Sequence, residues 1–158
     1  MKKVMNKSLI FLFFFLISTI SLSQIELTTL FNRDNFRVKY YQNEDYIGIV
    51  IESKYTPFIY TDINRNNVTD PYIDRLYSVI DGNSLCVANQ LENNATTTCG
   101  QATRATLIVN KNNYHFVIPK NELRYSPSKP IFLSFGAFDK SSTSKYYINN
   151  KNSYIISP

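Results

Sequence analysis

The residues of this chain best suited to chemistry lie between positions 61 and 74, which read TDINRNNVTDPYID. Asp62, Asn64 and Asn66 alternate, and Asp70 follows four residues later. With Asp62 as position 1, Asn64 falls at 3, Asn66 at 5, Val68 at 7 and Asp70 at 9. Those are the ligand positions of an EF-hand-type calcium loop, in which position 7 supplies a backbone carbonyl. Calcium is a hard cation that takes roughly six to eight oxygens, and alternating Asp and Asn side chains point oxygens at one centre. Asn67 stands where such a loop usually has Gly, and Asn is the next most tolerant residue for left-handed backbone. Position 12 is Ile73, so the bidentate Glu is missing, and Asp74 can serve in its place if Pro71 reshapes the exit. Such a site predicts structural calcium held weakly, on the order of 10⁻⁴–10⁻³ M. The same residues equally make an ordinary polar turn between strands.

The other reactive side chains are few. The two cysteines, Cys86 and Cys99, flank twelve mostly polar residues, VANQLENNATTT. In an oxidising compartment they pair most simply with each other. Zinc is disfavoured, because there is neither a CxxC spacing nor a nearby His. The single histidine, His115, has parity opposite to Tyr114, Phe116 and Ile118 and is expected on the other face of a strand, as an ordinary surface or half-buried residue. No GxSxG nucleophile elbow occurs. The acids sit mostly at turns rather than in facing pairs suited to glycoside hydrolysis. No catalytic residue is assigned, and the protein is expected not to be an enzyme. There are 12 Tyr and no Trp. Tyr40, Tyr41, Tyr55, Tyr60, Tyr72, Tyr77, Tyr146 and Tyr147 fall at strand ends or turns, where a large ring with a polar tip suits sugar or protein surfaces. Tyr is also simply a favoured strand residue.

The elements that must position these residues read as strands. Apolar or alternating runs recur at 25–31, 36–41, 46–52, 57–60, 74–80, 84–88, 103–109, 114–118, 131–138 and 146–148, separated by Asn, Asp, Ser and Pro. Their β-branched and aromatic content fits strands, and no long 3.6-residue period follows residue 23. The run Tyr46-Ile47-Gly48-Ile49-Val50-Ile51 is nearly all apolar and is expected at the centre of a sheet. Phe36-Arg37-Val38-Lys39-Tyr40 puts its charges on one face. The expected fold is all-β, a single antiparallel β-sandwich over 24–158. The tail from 140 is read as an edge strand and a frayed end.

A cleavable signal peptide is expected over 1–23. Lys2, Lys3 and Lys7 precede the apolar block LIFLFFFLI, and Ser21 and Ser23 stand at −3 and −1 of a cut before Gln24. A spanning helix needs about 20 apolar residues, so no membrane span is expected after removal. The protein is expected to be secreted, to the periplasm or beyond the cell. Cleavage leaves 135 of the 158 residues and, with three lysines gone, a net charge of +2 rather than +5. The remaining Lys and Arg form no run, so nucleic acid is not an expected partner.

Three pieces in order carry a resemblance. They are 57–66 (PFIYTDINRN), 74–79 (DRLYSV) and 114–123 (YHFVIPKNEL), the last followed by the apolar run IFLSFGAF. Over roughly 46–138 the chain resembles the family 9 carbohydrate-binding-module-like and DOMON-like β-sandwiches of secreted proteins. In them an acidic-amide turn follows a core strand and an "IP-x-x-x-L" element marks a later one, here Ile118-Pro119-Lys120-Asn121-Glu122-Leu123. The resemblance implies a sandwich, structural calcium, and binding of sugar or, in some relatives, haem. The usual sugar-platform Trp is absent, and an axial haem ligand would have to be His115, since Met1 and Met5 lie in the signal. The expected function is a non-enzymatic binding module for a carbohydrate or a protein at the cell surface. A purely structural or adhesive protein is the alternative, and a small secreted hydrolase the third reading.

Overall fold

A computed structural model describes residues 26–33, 35–63, 74–89, 99–123, 131–138, 145–148 and 154–156. Among them the strands are β1 (Thr28–Arg33), β2 (Phe36–Gln42), β3 (Tyr46–Ser53), β4 (Thr56–Asp62), β5 (Arg75–Ile80), β6 (Ser84–Asn89), β7 (Thr106–Asn110), β8 (Asn113–Pro119), β9 (Ile131–Phe138), β10 (Lys145–Ile148) and β11 (Tyr154–Ile156). One 3₁₀ turn, Lys120–Leu123, follows β8. The strands form two antiparallel sheets, in the orders β1-β2-β3-β8-β7 and β10-β9-β4-β5-β6, with β11 also on β9. The expected all-β sandwich is therefore the fold. The segment 1–23, with the expected cut between Ser23 and Gln24, lies outside the described residues. Among the described residues no helix is long and apolar enough to cross a membrane.

Alternation builds the core. β3 is central in its sheet, and Ile47, Ile49 and Ile51 point inward with no exposed surface. They join Val38, Phe116 and Ile118 from the same sheet and Ile59, Tyr77, Leu133 and Phe135 from the other. Burying one such side chain contributes about 1.5–3 kcal/mol, so the period-2 pattern fixes which face of each strand turns inward. The opposite parity of β2 carries Arg37 and Lys39, which meet Glu52 of β3 at 3.1 and 3.6 Å on the outer face.

Some boundaries differ from expectation. The strand expected from 25 begins at Thr28, and its register shifts at a bulge between Thr29 and Phe31. The strand expected from 103 begins at Thr106, because the residues before it serve another purpose. Thr103 donates its hydroxyl to Glu122 Oε2 at 2.7 Å, and the Arg104 N–H donates to Glu122 Oε1. Beyond the expected edge strand, residues 154–156 form β11, which pairs with Ile131–Leu133 along the edge of β9 that β10 occupies further on.

Glu122 and Leu123 explain the Ile118–Leu123 element structurally. Pro119 ends β8, the 3₁₀ turn brings the Leu123 side chain into the core, and the Lys120 N–H returns to the Asp45 carbonyl at 2.8 Å. Glu122 also accepts Arg75 Nη1 at 3.1 Å from the opposite sheet. One carboxylate thus ties β5, the 3₁₀ turn and the approach to β7 together.

Beside this pair lies Tyr77, fully buried, with a hydroxyl that meets the hydrogen-bond criteria with no partner among the described residues. Burial pushes its phenol up to about 12, against the favourable pull of Arg75. Below pH 10 both folded and unfolded phenols keep their protons. Above it the unfolded chain ionises first, so this contribution to stability falls as pH rises from about 10 to 12, by ~1.4 kcal/mol per unit. Tyr77→Phe removes the orphan hydroxyl and its titration. The variant should be at least as stable as the parent at pH 7 and ahead of it by a further ~1 kcal/mol at pH 11, in urea unfolding at both pH values. A variant that loses stability equally at both would show that the hydroxyl is satisfied.

The Cys86–Cys99 disulfide is present, with a Cα–Cα distance of 5.1 Å. Cys86 is buried in β6, and after Cys99 the N–H groups of Gly100 and Gln101 both turn to the Val87 carbonyl, at 3.3 and 3.2 Å. The bridge therefore pins the returning chain over the edge of its sheet.

Candidate functional site

Of the expected calcium ligands, Asp62 and Asp74 fall among the described residues, whereas Asn64, Asn66, Val68 and Asp70 lie outside them. Both described carboxylates are buried. Asp74 accepts the Ile63 N–H on Oδ1 at 2.8 Å and the Tyr60 hydroxyl on Oδ2 at 2.6 Å. Two charge-assisted bonds from β4 and its exit make Asp74 the clasp at the base of the loop. Among the described residues no three His, Cys, Asp or Glu side chains gather closely enough to hold a metal.

A second grouping forms on the outer face of the five-stranded sheet, from three strands that sequence alone does not bring together. Tyr41 of β2 lies opposite Gly48 of β3, and Gly48 lies opposite Val117 of β8. The Tyr41 ring rests directly on Gly48. A Cβ built there would stand 2.0 Å from Cε1 and 2.1 Å from Cζ. With that space open, the ring crosses β3 and its Oη meets His115 Nε2 of β8 at 3.0 Å. The ring centroids are 5.7 Å apart at 60°, an edge-on contact.

His115 has the outward orientation its parity implies, and it is half-buried. Val50 of β3 and Ile108 of β7 flank it in one row. Burial raises the Tyr41 phenol and lowers the His115 imidazole. Both shifts favour the uncharged forms, so a neutral pair is expected at pH 7. Arg37, Lys39 and Glu52 border this patch, and a hollow of about 180 Å³ opens toward Lys54 and Asn112.

The grouping offers an aromatic ring held flat on backbone, an imidazole locked beside it, and charged groups along one border. In the sequence Tyr41 is one tyrosine among many and His115 reads as an ordinary strand residue. The signal that could have found the site is Gly48, a glycine inside an otherwise apolar strand, which marks a close approach to the backbone.

Fold and face together define an all-β sandwich with an aromatic–imidazole patch on the outside of its five-stranded sheet. No family model matches the chain, and neither a curated protein nor a solved structure matches it.

Proposed function

We propose that this is a secreted, non-enzymatic binding module that takes a carbohydrate on the outer face of the five-stranded sheet. The observation that carries the reading is the Tyr41 ring lying on Gly48. A ring bedded on backbone presents its other face outward, where the apolar C–H face of a sugar can stack, while hydroxyls meet His115 and the charged border. Tyr supplies this area at little entropic cost, because it has only two side-chain torsions and here both are held by the His115 bond. A neutral phenol–imidazole pair suits hydrogen bonding to sugar hydroxyls better than proton transfer at pH 7.

Calcium belongs to the proposal as a structural ion of the segment from 62 to 74, with the two described carboxylates, Asp62 and Asp74, at its ends. It would steady the loop at the end of β4 without taking part in sugar contact.

The test is a glycan array with and without millimolar calcium, repeated with Gly48→Ala. The new methyl would stand 2.0 Å from Tyr41 Cε1, at the far end of one side chain, so it should lift the ring while leaving the strand intact. Hits on one sugar class by the parent, weakened at least ~10-fold in the variant, are expected, with a stability change within about 1 kcal/mol. A parent without hits, or a variant that binds as well as the parent, overturns the reading.

A further inference from the structure

The edges of the two sheets are treated unequally. β1 is interrupted by its bulge. β6 is covered by Gly100 and Gln101. The far edge of β9 is taken by β10 and β11, which are only four and three residues long. Bulges, covers and short edge strands are the devices that keep sheets from pairing with other chains. Among the described residues β7 has no bulge and no cover. Its residues TLIVN hold no charge, no Pro and no Gly, and Ile108 is 58% exposed on the outer face.

The direction of the free bonding groups on β7 follows from β8. Ser53 N–H donates to the Asn112 carbonyl and Lys120 N–H to the Asp45 carbonyl, each at 2.8 Å. They extend the β3–β8 register Ile51↔Tyr114, Ile49↔Phe116 and Ile47↔Ile118. Those even-numbered residues of β8 therefore bond toward β3, and Asn113, His115 and Val117 bond toward β7. Their partners are Asn110, Ile108 and Thr106. Main-chain groups alternate in direction along an antiparallel strand, so the N–H and C=O of Leu107 and Val109 point away from the sheet. Among the described residues no strand pairs with that side of β7.

We infer that the β7 edge pairs with the β7 edge of a second copy of this chain, antiparallel about a two-fold axis through Ile108. The register is set by the chain itself. Leu107 bonds with Val109 of the second copy and Val109 with its Leu107, giving two doubly bonded pairs. Ile108 faces its own counterpart as the close, non-bonded pair, covering the most exposed large apolar side chain described. Leu107 and Val109, which only partly cover the core edge, pack across the axis beneath. Arg104 and Lys111 flank the strand. In this register they fall opposite Asn112 and Ala105 of the second copy, so no like charges face each other. An isologous contact of this kind closes on itself and stops at two copies. The axis is perpendicular to the sheet, so both outer faces look the same way. The two β3 strands then stand five strand spacings apart, about 24 Å. The dimer does not depend on the sugar reading. Where that reading holds, it presents two rings on one side and allows bivalent attachment.

Sedimentation of the purified protein across micromolar to millimolar concentration should show a monomer–dimer equilibrium. Val109→Pro removes two outward N–H donors per dimer and leaves the β8 ladder alone, so it should weaken association at least ~10-fold. Ile108→Lys, at an exposed position that cannot undo the fold, should do the same. Ile108→Cys should cross-link on oxidation, since a non-bonded pair places Cα atoms about 4.5 Å apart, within disulfide reach. Thr106→Cys should not. A protein that stays monomeric throughout, a dimer indifferent to both Val109→Pro and Ile108→Lys, or equal cross-linking from position 106 overturns the inference.

Discussion

Replacing Glu122 by Ala is expected to destabilise the protein by about 3 kcal/mol. The carboxylate receives three donors: the Arg75 guanidinium at 3.1 Å, the Thr103 hydroxyl at 2.7 Å, and the Arg104 N–H. Its side chain is 11% exposed and that of Arg75 24%, so water replaces little of what is lost. An exposed pair such as Arg37–Glu52, at 43% and 40%, contributes only a few tenths of a kcal/mol by comparison. Truncation leaves a cation with no counter-charge beside the orphan hydroxyl of Tyr77, and breaking a buried pair on one side is costly for that reason. Urea unfolding of Glu122→Ala, Arg75→Met and the double variant gives the coupling directly. The Arg75→Met change should cost less alone, and the double variant should be no worse than Glu122→Ala. A loss below 1 kcal/mol for Glu122→Ala would show that the clamp does not join the two sheets.

Opening the Cys86–Cys99 bridge should cost a similar amount. The bond joins positions 13 apart, and closing a loop of that size stabilises by about 3 kcal/mol in the chain-entropy model. The structure adds a local consequence. The bonds from Gly100 and Gln101 to Val87 depend on the chain returning at Cys99. Without the bridge the edge of β6 loses its cover, so the reduced protein should aggregate more readily on heating. The Cys86→Ala/Cys99→Ala double variant should melt roughly 10 °C lower than the parent. It should also show faster hydrogen exchange in β6 than in β3, which is held on both sides. A uniform loss of protection across both sheets would instead mean that the bridge acts only on the unfolded chain.

Both effects arise at places that are legible in the sequence to different degrees. The disulfide follows from count and spacing, because two cysteines leave one pairing. The Glu122 clamp does not. The resemblance draws attention to Ile118–Leu123, yet nothing in those six residues says that Glu122 meets Arg75, 47 positions earlier and in the other sheet. The strand expected from 103 shows the same limit. Thr103 fits a strand by propensity, but Glu122 takes the bonds of Thr103 and Arg104, and the ladder begins only at Thr106. Propensity is weak beside a charged hydrogen-bond acceptor already in place.

The expected calcium loop divides in the same way. Spacing picks out Asp62 and leaves Asp74 one residue past position 12, and two donors make Asp74 a clasp between β4 and β5. For the chain end, three short apolar residues in an Asn-rich tail carry too little pattern to predict a strand. β11 exists because β9 offers it an edge.

What the sequence determined by itself is the alternation. Each of Val38, Ile49, Phe116 and Phe135 lies inward because its neighbours in the strand are less apolar or less well placed, and a one-residue slip would turn every core side chain out. That pattern sets fold class and the outward orientation of His115, while the nearly continuous apolar run of β3 marks its central place. It is local information, carried by period 2. What only the tertiary structure decided is which outward residues share a patch and which edge is left open. Tyr41 and His115 are 74 residues apart and meet only because β2, β3 and β8 pair in that order with a glycine between them. Among the described strands β7 pairs on one side alone, which its own five residues do not reveal. Which strands become neighbours is a property of long-range pairing, and no pattern within one strand encodes it.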